Sequence, residues 1–236
     1  MKYVEIAQLP DSGGFILCHL CMQEVLSVFR KIGKPLVLLF PLNRFQDVSQ
    51  VCEENYTVDL QMEHLIRLGH RRILYLREEY SNTINLPILT RLTLYYRTMA
   101  VHCLRLPPHW KTTYPPGKIL SALECSFQKA PTPTAIIAYD FDIPTIYAFL
   151  RARGMEPGKD VSVVATDGLP CLNSLTPSVT TQVNNELYSA QCAVSLLLRQ
   201  RNGDKTPRTE HVLLKLKIGE SSAPPPRRKV KPPLNP

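Results

Sequence analysis

The stretch His64-Leu65-Ile66-Arg67-Leu68-Gly69-His70-Arg71-Arg72-Ile73-Leu74-Tyr75-Leu76 constrains the fold most, because it carries a helix into a buried strand through a short basic turn. Leu60, Met62, Leu65, Ile66 and Leu68 form a broad helical stripe, Gly69 suits the left-handed conformation that stops a helix, and Ile73 to Leu76 reads as a strand. This is the second half of an α/β crossover.

The same alternation recurs along the chain. Phe15-Ile16-Leu17 reads as a strand, residues 21 to 33 carry Met22, Val25, Leu26, Phe29 and Ile32 at helical spacing, and Leu36 to Phe40 is a strand. After a loop with Asn43 and Asp47, a helix over about 56 to 68 leads into the strand at 73 to 76. Leu89, Leu92, Tyr96 and Ala100 suggest a helix within 81 to 100, and His102 to Leu106 a strand. Pro107, Pro108, Pro115 and Pro116 mark a long loop. A helix near 117 to 129, a buried strand at Thr134 to Ala138, a helix at 143 to 153 ending at Gly154, and a buried strand at Val161 to Ala165 follow. A Leu- and Val-rich helix near 185 to 201, a turn at Asn202-Gly203-Asp204 and a strand from His211 to Ile218 close the pattern. The chain is therefore α/β, with parallel sheets.

At 236 residues with 44% apolar and 20% charged side chains, it is long enough for one large domain or two lobes around their own cores. Apolar runs such as Leu36 to Pro41 and Val194 to Leu198 fall far short of the roughly 18 residues of a membrane span. No secretory signal is visible, so the cytoplasm is expected. Seven scattered cysteines suit a reducing compartment and are expected mostly as small buried hydrophobes. Cys18-His19-Leu20-Cys21 has the spacing of a redox pair but stands alone. His64, His70, His102 and His109 lack metal-ligand spacing, so no metal site is expected. The net charge of +8 is diffuse, and part of it sits in the Pro-rich tail around Arg227, Arg228, Lys229 and Lys231, which is expected to stay extended and solvated.

Asp140 and Asp142 lie just past one buried strand and Asp167-Gly168 just past the next. In open parallel sheets ligands bind outside the carboxyl ends of the strands, so Asp140 and Asp167 are candidates to line one crevice; as loop residues or helix caps they would play no part in binding.

Several segments, in order, resemble the lactose-repressor/galactose-repressor (LacI/GalR) family of transcription regulators. They are the junction quoted above with Glu63 before it, Pro133-Thr134-Ala135-Ile136-Ile137-Ala138, and Gly158 to Asp167. Leu175-Thr176-Pro177-Ser178-Val179-Thr180-Thr181 and Gly219-Glu220-Ser221-Ser222-Ala223-Pro224-Pro225 complete the set. The resemblance spans residues 12 to 225. It implies a two-lobed, periplasmic-binding-protein-like effector domain with the first lobe incomplete. Residues 1–55 would form the partial first lobe and 56–180 the second. Residues 181–210 would return a helix to the first lobe, 211–225 would give a closing strand and crossover, and 226–236 the tail. A sheet without its opening strands would leave an edge and apolar surface bare.

The resemblance also implies effector-binding residues. Asp167 matches an aspartate that accepts hydrogen bonds from effector hydroxyls, an acceptor-only role that suits sugars. Arg91, in Arg91-Leu92-Thr93-Leu94-Tyr95, matches an effector-reaching arginine, although Leu94 stands where the family has Gly. Tyr139-Asp140 stands where the family has Asn-Asp, a phenol replacing a bidentate amide. Asn184 and Glu53 fall near polar and acidic contacts of the family. Trp110 or Tyr114 would offer a wall for a sugar face if not simply an exposed loop aromatic. Arg77-Glu78-Glu79 replaces small residues, and either crowds the cleft, closes it with an ion pair, or lies as exposed charge beside it.

The function implied is binding of a sugar-like effector within a homodimeric regulator. No cofactor, catalysis or membrane partner is implied, and DNA contact would be made only through a helix-turn-helix that these residues do not contain. A solute-binding protein of a transport system and a degenerate regulator fragment are the alternatives. An enzyme using Asp140, Asp142 and Asp167 would need a nucleophile, metal set or phosphate-cradling Gly loop, and none accompanies them.

Overall fold

A computed structural model describes residue 5 and residues 12–19, 22–53, 57–79, 86–183 and 185–226. In chain order its elements are β1 (Phe15–Cys18), α1 (Gln23–Ile32), β2 (Leu36–Leu39), β3 (Ser49–Glu53), α2 (Thr57–Arg67), β4 (Ile73–Glu78), α3 (Leu86–Val101) and β5 (Thr113–Tyr114). Then come α4 (Ile119–Phe127), β6 (Ala135–Ala138), α5 (Ile143–Ala152), β7 (Ser162–Ala165), β8 (Thr180–Val183), α6 (Glu186–Arg201), β9 (Thr209–Val212) and β10 (Lys215–Lys217). The chain divides into two compact units: Met1–Tyr56 with Thr83–Arg91 and Asn184–Leu214, and Thr57–Asn82 with Leu92–Val183 and Lys215–Pro236.

The first unit is a four-stranded parallel sheet in the order β1-β2-β3-β9. Both faces are covered, which is why Leu36-Val37-Leu38-Leu39 is an unbroken apolar run and not an alternating one. Leu36 and Leu38 pack with Phe15, Leu26 and Phe29 under α1, whereas Val37 and Val51 pack with Ala193 and Leu196 of α6. Gly33, at φ 70°, ends α1 by returning its N–H to the carbonyl of Arg30.

The second unit is a six-stranded sheet, β10-β8-β7-β6-β4-β5, parallel except for β10. Val58, Met62 and Leu65 of α2 and Tyr95 and Met99 of α3 cover the face bearing Ile73, Tyr75, Ile137 and Val164. Leu123 of α4 and Ile146, Tyr147 and Leu150 of α5 cover the face bearing Leu76, Ile136 and Val163. The helix-to-strand junction at residues 64–76 forms as expected. Gly69 is left-handed at φ 98°, and the N–H groups of Gly69 and His70 return to the carbonyls of Ile66 and Leu65. His70 itself turns inward and is buried.

Several expectations need correction. Residues 102 to 106 form no strand: a left-handed Cys103 (φ 51°) ends α3, and Leu104 and Leu106 pack singly onto the core. The run His211 to Ile218 is two strands, β9 paired with β3 and β10 with β8. Of the six described cysteines only Cys52 is buried, while Cys18, Cys103, Cys125 and Cys171 are exposed. Cys21 of the Cys18-Cys21 pair, Asn184 and the tail from Arg227 onward lie outside the described residues. Among the described residues no helix is long and apolar enough to cross a membrane, and no three His, Cys, Asp or Glu side chains come together to hold a metal.

Candidate functional site

In the second unit the carboxyl ends of β4, β6 and β7 lie side by side, with Leu76, Ala138 and Ala165 in one register. The residues that follow carry polar side chains, because the apolar run needed for burial ends there. Tyr139, Asp140 and Asp167 are thereby brought to one edge of one sheet.

Their roles differ. Asp140 is buried, and its Oδ1 accepts from the backbone N–H of Thr166 at 3.0 Å and of Asp167 at 2.8 Å, while Oδ2 accepts from Leu169 N–H at 2.5 Å. Burial pushes its pKa up, the three donors partly offset this, and the nearby Asp167 charge adds to it. Asp140, a candidate effector contact from the sequence, holds with both oxygens the turn that carries Asp167. Asp167 is partly exposed, and its Oδ2 accepts from the hydroxyl of Thr166 at 2.9 Å. The next residue, Gly168, sits at φ 71°, and a Cβ there would lie 2.3 Å from the carbonyl of Gln182, so only glycine lets the turn pass so close to β8.

Tyr139 is half-buried and leads into a single 3-10 turn over Asp140–Asp142. That turn projects Phe141, which is 79% exposed. Sequence reading missed Phe141 as the apolar surface of this edge; a large apolar residue between two aspartates was the available signal. The two expected aromatics are both buried. Trp110 is buried with its indole N–H donating to the Pro131 carbonyl at 2.9 Å, and buried Tyr114 donates to Asp142 Oδ2 at 2.6 Å. Burial raises the pKa of Asp142, Tyr114 pulls it back, and the Glu78 charge raises it further.

The charged triplet Arg77-Glu78-Glu79 at the end of β4 does not close the site with an ion pair among the described residues. Glu78 accepts from Gly117 N–H at 3.0 Å and Glu79 from the Thr113 hydroxyl at 2.8 Å, so both pin the 113–117 segment. Glu53 and Arg91 belong to the first unit. Glu53 ends β3, its carbonyl accepting from the Arg44 guanidinium at 3.4 Å, and Arg91 is half-buried on α3. Tyr95, four residues on, is committed to the core, donating its hydroxyl to the Ile73 carbonyl at 2.9 Å.

A model of the periplasmic binding protein-like domain matches residues 62–222, more than half of the chain. The chain belongs to the periplasmic-binding-protein-like domain family. This periplasmic-binding-protein-like domain is similar to a transcription regulator from Lactobacillus plantarum, with a TM-score of 0.77 at 19% identity over 94% of this chain and 85% of that one. It is also similar to a LacI-family regulator from Enterococcus faecium solved with bound ribose (TM-score 0.75, 18% identity, 94% and 84% covered). A LacI transcriptional regulator from a Rhodococcus species gives 0.75 at 19% identity, with 94% and 82% covered. At these identities the likeness is one of fold. Comparison with curated protein sequences gave no match.

Proposed function

We propose that this chain is the effector-binding part of a LacI/GalR-type transcription regulator, and that its effector is a sugar-like polar small molecule. The observation that carries this reading is the edge of the second unit, where Asp140 ties the turn carrying Asp167 to the 3-10 turn carrying the exposed Phe141. A hydroxyl-rich ring with apolar C–H faces suits a carboxylate and an aromatic together. The fold shared with the ribose-bound Enterococcus faecium regulator supports the same class of ligand. Tyr139, Arg91, Glu53 and Asn184 are proposed as further contacts. The regulator acts as a homodimer in the cytoplasm, and DNA is contacted through a helix-turn-helix outside these residues. Effector binding shifts the population between arrangements of the domain, so no catalytic step is needed.

Thermal stabilisation and calorimetry of the full chain with ribose, xylose, cellobiose and a nucleoside panel test this. At least one ligand is expected to stabilise the protein, and Asp167→Ala is expected to weaken it by roughly 10- to 100-fold, the worth of a charged hydrogen-bond acceptor. No stabilisation by any ligand, or an Asp167→Ala variant that binds as wild type does, overturns the reading.

A further inference from the structure

We propose that Arg77 makes this site selective for an effector that carries an oxyanion, a sugar acid or a sugar phosphate, over the neutral sugar. The inference rests on the effector-binding reading above and goes further by naming the ligand's charge. Strand alternation puts Arg77 on the same face of β4 as Tyr75, and Tyr75 is in register with Ile137 and, across β6, with Val164. Arg77, Tyr139 and Thr166 each come directly after the in-register residues Leu76, Ala138 and Ala165 at the carboxyl edge, with Asp167 next to Thr166.

Among these residues Arg77 carries a shielded donor without a partner. It is only partly exposed, its Nε is shielded from solvent and has no hydrogen-bond partner, and among the described residues no carboxylate lies within ion-pair distance of it. The acids that follow it in sequence do not serve. Glu78 points to the opposite face by alternation and is engaged with Gly117, and Glu79 is engaged with Thr113. A second buried polar atom on this face also lacks a partner. Gln61 of α2 is fully buried and donates its Nε2 to the Ala165 carbonyl at 2.8 Å, while its Oε1 accepts nothing. Shielded polar groups left unpaired are costly, more so when charged, and a guanidinium offers two parallel N–H bonds to a carboxylate or phosphate. An oxyanion-bearing polyol brings the acceptor that Arg77 lacks.

The test compares ribose, ribonate, ribose 5-phosphate and inorganic phosphate by calorimetry on the full chain at fixed ionic strength, because the net charge of +8 attracts any anion. At least one charged sugar is expected to bind tenfold or more tighter than ribose, about the gain of a bidentate charge-assisted pair. Arg77→Gln should bring the charged and neutral sugars level, and Arg77→Lys, which keeps the charge but loses the fork, should keep only part of the preference. Ribose binding as tightly as both charged sugars, a preference that survives Arg77→Gln, or inorganic phosphate binding as tightly as the sugar phosphate each overturns the proposal and leaves the effector reading standing. If no sugar binds, charged or neutral, both fail together.

Discussion

Asp140 shows how a single buried side chain holds a whole turn. A carboxylate only accepts, and here its two oxygens take three N–H groups from one turn. Asparagine at this position keeps one acceptor oxygen but turns an NH2 toward the N–H of Leu169, so two donors face each other in a buried place. Asp140→Asn is expected to lose about 2–3 kcal/mol of stability, the cost of a broken charge-assisted bond and a stranded donor. Urea unfolding measures it, and a loss below about 0.5 kcal/mol would show that other contacts hold the turn. The spacing of Asp140 and Asp167 beyond successive buried strands was legible in the sequence, and so was their shared edge. Which carboxylate turns inward was not, because that depends on the N–H groups of residues 166 to 169, which come within reach only once β6 and β7 have paired.

At the scale of elements, the helix-to-strand junction does more than mark a crossover. His70 lies between the hydroxyls of Thr134 (3.0 Å from Nδ1) and Ser162 (2.9 Å from Nε2), and Nε2 donates to the carbonyl of Ala223 at 2.9 Å; His64 Nε2 lies 2.8 Å from the Ser222 hydroxyl. Together they clasp the segment 219–223, which is also stitched between β7 and β8 through Ser221, whose N–H bonds to the Ser178 carbonyl and whose carbonyl accepts from Val163. The close fit leaves no room for a side chain at Gly158, where a Cβ would lie 2.1 Å from the Glu220 carbonyl. Both histidines have pKa values below the usual 6.5. Burial is the main cause for each, with Arg67 adding to it for His64, while His70 is pulled back by the Ala223 carbonyl and pushed down by His64 and Arg72. The folded state therefore favours the neutral rings, and below pH 6.5 the unfolded chain binds more protons. Stability is complete above that pH and falls as the pH drops through it toward the lower folded values. Denaturant unfolding between pH 7.5 and 5.5 should show this decline, with a smaller slope in His64→Gln. A flat or rising profile sinks the account.

The helical stripes and the uninterrupted apolar strands were readable because burial on one or both sides writes a period into the sequence. β3 was not readable, since Ser49 and Gln50 are polar yet buried: they lie in the middle of a parallel sheet, where Gln50 bonds the Phe45 carbonyl at 2.6 Å and Thr209 at 3.1 Å. Nor did the run from His211 to Ile218 reveal that it divides between two sheets, because pairing partners leave no periodic signal.

At the scale of the whole molecule, α6 is apolar on two sides. Ala193 and Leu196 face the sheet of the first unit, and Gln200 ties the helix to both backbone groups of Leu36 at 2.9 and 3.0 Å. On the outer side Leu187, Val194 and Leu198 are 72%, 45% and 46% exposed, along one line at spacings of seven and four. A helix apolar on opposite faces is ordinarily covered on both. Its ends carry opposite charge, Glu186 in the first turn and Arg199 and Arg201 in the last, so two copies packed antiparallel bring unlike charges together. This supports a second copy of the chain as the cover, in keeping with the proposed homodimer. The helix is only about 24 Å long, and its stripe falls below the roughly 800 Å² per partner of a standard interface, so the association should be weak, on the order of 1–100 μM. Sedimentation velocity over a concentration series should show reversible monomer–dimer exchange, and the pair Leu187→Glu with Leu198→Glu should shift it to monomer while leaving the thermal transition in place. A monomer at every concentration removes the proposed pairing. A dimer that persists in the double variant places the contact on another surface.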